Sequence, residues 1–119
     1  MNKQLIFFCD FEDLKNKNYI IKYFEDLKDE LIVFIDKSDN IKIFSSICPH
    51  FGGEIYYLKK KNDLRCKWHN WKFCIQTGEC LTHPIKGKLN PYDFEIKPNS
   101  LNEYQYEKKE NKIYLSYEK

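Results

Sequence analysis

Residues 47–80 read ICPHFGGEIYYLKKKNDLRCKWHNWKFCIQTGEC, and two pieces of that stretch, CPH at 48–50 and CKWH at 66–69, look like halves of one device. Each piece offers one thiol and one imidazole. Residues 51–65 separate the halves, which together use two of the chain's 3 histidines. The order Cys48, His50, Cys66, His69 is the pattern that any reading of this chain has to explain.

One metal ion and one cluster make different demands on such a set. A structural zinc site takes four N/S ligands tetrahedrally, and its usual signature pairs Cys with Cys or His with His at spacings of two to five residues. CPH leaves a single residue between ligands and both halves mix the two types, which zinc allows but rarely shows. In a [2Fe-2S] cluster two irons share two sulfides and each needs two protein ligands. If both thiolates go to one iron and both imidazoles to the other, each loop has to deliver a Cys and, a residue or two later, a His. Cys48 and Cys66 would then hold the buried iron, and His50 and His69 the outer iron near solvent.

The rest of the chain reads as a frame for these loops. At 119 residues it suits one domain, and its 42% apolar and 17% aromatic content argues against disorder. QLIFF, NYIIKYF, LIVFID and IKIFSS, up to Ser46, predict a meander of β-hairpins with DKSDN as a polar turn. FEDLKNKN and FEDLKDE are too short for amphipathic helices and are expected as turns or single helical turns. Residues 47–88 hold all 4 glycines and are expected to be loop-rich, with the lysines at 59–61 at a solvated hairpin tip. After Pro91 strands return in YDFEI, EYQYEK and KIYLSYE, the last two joined by the charged turn KENK. The expected organisation is a single domain, with base segments 1–46 and 89–119 and a cluster-binding insert at about 47–88.

Charge and cysteine usage narrow the class. A net charge of +2 spread over 20 basic and 18 acidic residues gives no reason to expect a nucleic-acid or membrane partner. The apolar run before Asp10 is too short for a signal peptide and no stretch approaches a membrane span, so a cytoplasmic protein is expected. The 5 cysteines, an odd number, then read as metal ligands or thiols rather than a disulfide framework. Cys9 is expected in the core, Cys74 and Cys80 as partly buried thiols, and His83 at the surface. Trp68 and Trp71 suit packing or shielding of the metal site about equally.

The combination CPHFGG, CKWHNWKF and TGEC resembles the Rieske iron-sulfur family, most closely its soluble ferredoxins and oxygenase-associated domains. The resemblance covers about Ser46 to Pro84 and implies an all-β fold in three sheets: an antiparallel sandwich or barrel base with a small inserted cluster-binding subdomain. It implies one [2Fe-2S] cluster held by Cys48, His50, Cys66 and His69, with the loop LTHPIKGKL, centred on Pro84, covering it. Gly52 and Gly53 would allow close backbone approach to the cluster.

Two positions depart from the family pattern. Lys67 stands where Pro is usual, which should loosen the loop and add a charge. Asn70 stands where Gly is usual, a mild change because Asn tolerates left-handed backbone. Gly53 and Trp68 occupy the places of an extra cysteine pair, and Trp71 and Phe73 those of hydroxyl donors, found in quinol-oxidising relatives. Without such hydrogen bonds the potential should fall at the low end of the Rieske range, about −150 mV.

A mononuclear iron site needs two His and a carboxylate, and only His83 remains uncommitted. The resemblance therefore implies a carrier passing single electrons from a flavin-dependent reductase to a terminal oxygenase or similar acceptor. Alternatives are the small subunit of a larger reductase, such as a nitrite reductase, and a zinc-stabilised interaction module.

Overall fold

A computed structural model describes residues 3–47, 54–67, 70–79, 81 and 101–118. In chain order these form β1 (Lys3–Asp10), α1 (Phe11–Lys17), β2 (Tyr19–Phe24), β3 (Asp29–Ile35), β4 (Ile41–Ser45), β5 (Ile55–Leu58), β6 (Asp63–Cys66), β7 (Lys72–Phe73), β8 (Glu103–Lys109) and β9 (Lys112–Glu118). All pairings between these strands are antiparallel. A six-stranded sheet runs β1-β9-β8-β4-β3-β2 and a three-stranded sheet runs β5-β6-β7. The larger sheet consists of two halves that meet, among the described residues, where Ile43 and Phe44 of β4 pair with Tyr104 and Glu103 of β8 and Ser45 N donates to the Asn102 carbonyl at 2.8 Å. The all-β expectation therefore holds, with the halves and the small sheet as its three sheets.

The continuous apolar run in β3 explains the arrangement. Successive strand residues point to opposite faces, and here both faces are covered. Leu31 and Val33 enter a core with Phe8, Leu14, Ile43, Ile113 and Leu115, so that the β1–β9 side folds back over the β3–β4 side. Ile32 and Phe34 enter a second core with Phe44, Ile55, Tyr57, Leu64, Cys66 and Phe73, supplied mostly by the small sheet. Phe34 stacks on Tyr57 at a centroid distance of 4.4 Å and on Phe44 at 6.2 Å. β1 contributes through a bulge: its register slips between Phe7 and Cys9, and Phe8 and Cys9 are both buried. Cys9 thus lies in the core as expected.

Two local expectations change. FEDLKNK forms a helix of 7 residues rather than a single turn. Glu12 and Asp13 in its first turn and Lys15 and Lys17 in its last complement the helix dipole, and Leu14 anchors it in the core. The second motif, FEDLKDE, is a turn followed by the start of β3. The segment expected to be loop-rich contains β5, β6 and β7, whose lengths of 4, 4 and 2 residues leave little periodicity to read. The YDFEI strand lies outside the described residues.

The turns follow their side chains. Asp36 Oδ1 accepts the N–H groups of Ser38 at 2.8 Å and Asn40 at 2.9 Å, which shapes the DKSDN turn. Lysines 59–61 are exposed at the β5–β6 tip. That tip is tied down: Lys37 Nζ donates to the Lys60 carbonyl at 2.8 Å, and Tyr57 Oη donates to Asn62 Oδ1 at 2.6 Å. Among the described residues no helix is long and apolar enough to cross a membrane.

Because Phe34 joins β3 to the small sheet, Phe34→Ala should cost about 3–5 kcal/mol. A lower urea midpoint by circular dichroism would show it, and an unchanged midpoint would refute the two-core arrangement.

Candidate metal centre

The roots of the two loops expected to carry the ligands lie side by side. β4 ends at Ser45 and Ser46, both buried, where the ends of β3 hold them. Ser45 Oγ donates to Asp29 Oδ1 at 3.1 Å and Ser46 Oγ to Glu30 Oε1 at 3.1 Å, while Ser46 N donates to the Glu30 carbonyl at 2.7 Å. Asp29 also accepts the Tyr104 hydroxyl at 2.7 Å, and burial followed by that carboxylate raises the Tyr104 pKa. The chain leaves through Ile47 and returns at Glu54, which pairs with Ile47 in an isolated bridge, and Ile55 N donates to the Ser46 carbonyl at 2.7 Å. The first loop, residues 48–53, is thereby closed at its base.

The second loop leaves from Cys66, the last residue of β6, which pairs with Ile55 and is fully buried. Its N–H donates to the Trp71 carbonyl at 2.8 Å, drawing the ends of the loop together. Asn70 has φ 59, the left-handed conformation expected of the residue at this position. Tyr56 Oη donates to Asn70 Oδ1 at 3.3 Å.

Lys67 corrects the expectation of a loosened loop. Its N–H, which a proline would lack, donates to the Glu54 carbonyl at 2.9 Å, and its Nζ lies 2.6 Å from Glu54 Oε1. That hydrogen bond, with the charge of Glu54 behind it, raises the Lys67 pKa.

After β7 the chain turns through Cys74–Glu79, with Gly78 N donating to the Cys74 carbonyl and Leu101 N to the Gly78 carbonyl, each at 2.8 Å. Gly78 has φ 81, and a Cβ there would come within 2.6 Å of the Leu101 carbonyl oxygen and 3.0 Å of the Phe44 ring. Glycine is required because the turn lies directly on the second core. Trp71 packs against that core and Phe73 is fully buried in it.

Of the four expected ligands, the structure describes Cys66. Cys48, His50 and His69 lie outside the described residues, as do Gly52, Gly53, Trp68, Cys80, His83 and Pro84. The described parts fit the cluster chemically: a cysteine with a buried side chain terminates a strand at the root of one loop, beside the root of the other. Sequence reasoning missed Glu54, Ser45 and Ser46 as organisers of these roots, since nothing in their spacing marks them. The lysines at 59–61 do form a solvated hairpin tip, at the opposite end of the β5–β6 hairpin from Cys66, about 13 Å along the strands.

Two loops whose sequences each pair a Cys with a His leave from adjacent roots of an antiparallel two-core β fold. The model of the Rieske [2Fe-2S] domain matches residues 4–93, and the chain belongs to that family. It is 33% identical over 85 residues to the oxygenase subunit of 3-chlorobenzoate-3,4-dioxygenase from Comamonas testosteroni, covering 71% of this chain and 18% of that protein. The chain spans less than a fifth of the length of the curated relatives it matches. Among solved structures, the ferredoxin of carbazole 1,9a-dioxygenase from Nocardioides aromaticivorans superposes with a TM-score of 0.70 at 16% identity, over 94% of this chain and 96% of that one. A putative NADH-dependent nitrite reductase small subunit from Mycobacterium tuberculosis gives 0.68 at 12% identity, over 100% and 99%. These structural likenesses establish the fold. Family membership establishes a domain that carries one [2Fe-2S] cluster and transfers electrons.

Two predictions concern the frame of the site. Gly78→Ala should cost about 2–4 kcal/mol, from left-handed strain and contact with Leu101 and Phe44; a urea midpoint equal to that of the parent would contradict the close packing. The thiols should also separate by reactivity. Burial, with Asp10 and Asp13 nearby, pushes Cys9 up to about 11. Burial pushes Cys74 up as well, but hydrogen bonds from the Thr77 side chain and the N–H groups of Gln76 and Thr77 outweigh it and lower its pKa. The thiolate is the nucleophile, so iodoacetamide at pH 8 should label Cys74 well before Cys9, as read by peptide mass mapping.

Proposed function

We propose that this chain is a one-electron carrier whose cluster is held by Cys48 and Cys66 through thiolates and by His50 and His69 through imidazoles. The observation that carries the reading is the pair of loop roots, joined at Ile47, Glu54 and Lys67, with Cys66 buried at one of them. The bound cluster supplies a centre that accepts and releases one electron, and the chain's own residues hold it and limit its exposure to water. Residues 1–46 and 89–119 serve as the base, and about 47–88 as the cluster-carrying insert.

The electron route proposed is from a flavin-dependent reductase to a terminal oxygenase or similar acceptor in the cytoplasm, with substrate chemistry in the acceptor rather than in this chain. The likeness to a dioxygenase ferredoxin over nearly its full length supports this route. The equally complete likeness to a nitrite reductase small subunit supports a second reading, a subunit held permanently by a larger reductase. Purification as a stable hetero-complex would favour the second, and as a lone chain the first. Phe73 is buried in the second core and neither it nor Trp71 carries a hydroxyl, in keeping with a potential at the low end of the Rieske range, about −150 mV.

The test is the visible spectrum of anaerobically purified protein before and after dithionite, with iron, zinc and sulfide assayed on the same sample. A red-brown protein with equal iron and sulfide that bleaches on reduction is expected, and Cys66→Ser should abolish the colour. A colourless protein carrying zinc would overturn the reading.

A further inference from the structure

Glu54 is the residue at which the two loop roots meet. On one side its backbone pairs with Ile47, the last described residue before the first loop; on the other its carbonyl accepts the N–H of Lys67, the residue after Cys66. The side chains repeat the connection, with Glu54 Oε1 2.6 Å from Lys67 Nζ. Glu54 directly follows residues 48–53, so this one pair ties the exit of the first loop to the entry of the second. Tyr56, two residues further along β5, reaches Asn70 near the end of the second loop, so the residues adjoining the first loop grip the second at two points.

A cluster bridging two loops can leave only when the loops separate or a ligand lets go. The backbone pairs hold the roots, and the Glu54–Lys67 side-chain pair adds a second tie at the same point. We propose that Glu54 and Lys67 form a latch across the two ligand loops, a positioning pair that slows loss of the cluster by resisting their separation. The inference rests on the ligand assignment proposed above. Half of the Lys67 side chain and a third of that of Glu54 are exposed, so the latch has the modest strength of a surface ion pair and is open to salt.

The experiment follows visible absorbance of the cluster-loaded protein in the presence of an iron chelator, with far-UV circular dichroism as a control for folding. Glu54→Gln and Lys67→Met each keep the backbone hydrogen bond and should lose colour about 1.5- to 5-fold faster than the parent, the range an exposed ion pair covers. Combining them should be no worse than the more damaging single change, because each removes the same interaction. The reversed pair, Glu54→Lys with Lys67→Glu, should recover most of the lifetime, and molar salt should bring the parent close to the single variants. Lifetimes unchanged in the single variants, or effects that multiply in the double, would overturn the latch alone. A parent that takes up no cluster would overturn the ligand assignment and the latch with it.

Discussion

Both cores of the described residues form on β3, which is buried on its two faces. A strand with one wet face alternates apolar and polar residues, whereas LIVFI is apolar throughout and has to be covered twice. One cover is the folded-back half of its own sheet, brought round by β1 and β9, and the other is the small sheet. The second cover matters for function, because the strands that supply it, β5 and β6, carry the ends of the two loops. The apolar demand of one strand thus fixes where the loops emerge.

The same economy appears where β4 ends. Asp29 and Glu30, the first residues of β3, receive the hydroxyls of Ser45 and Ser46, so the central strand fixes the point of departure of the first loop as well as the wall behind it. Buried hydroxyls need partners, and here the partners are carboxylates on the strand that separates the two cores. Gly78 does the corresponding service on the far side, where only a residue without Cβ lets the turn after β7 lie on Phe44.

Much of this was legible in the sequence, and the exceptions have physical causes. Long strands of the base announce themselves by apolar runs and polar turns, and the Cys/His spacing singles out the family because few other chemistries need that order. Left-handed Asn70 was readable because so few residue types tolerate that conformation. The small sheet was not, since strands of 4, 4 and 2 residues are defined by what they pair with rather than by their own pattern. Lys67 was misjudged for a related reason. A lysine in place of a proline looks like lost rigidity when only the local chain is considered, and the partner that restores it, Glu54, is 13 residues away.

The division into two cores also has a vectorial consequence. Among the described residues, the second core, which contains Cys66, draws on nothing beyond Leu101, whereas the first waits for Ile113 and Leu115. The pairing of Lys3 with Glu118 joins residues nearly a full chain length apart, the most remote strand pairing among the described residues and costly to close. A chain emerging from the ribosome therefore has every described part of the core around Cys66 before β1 can find β9.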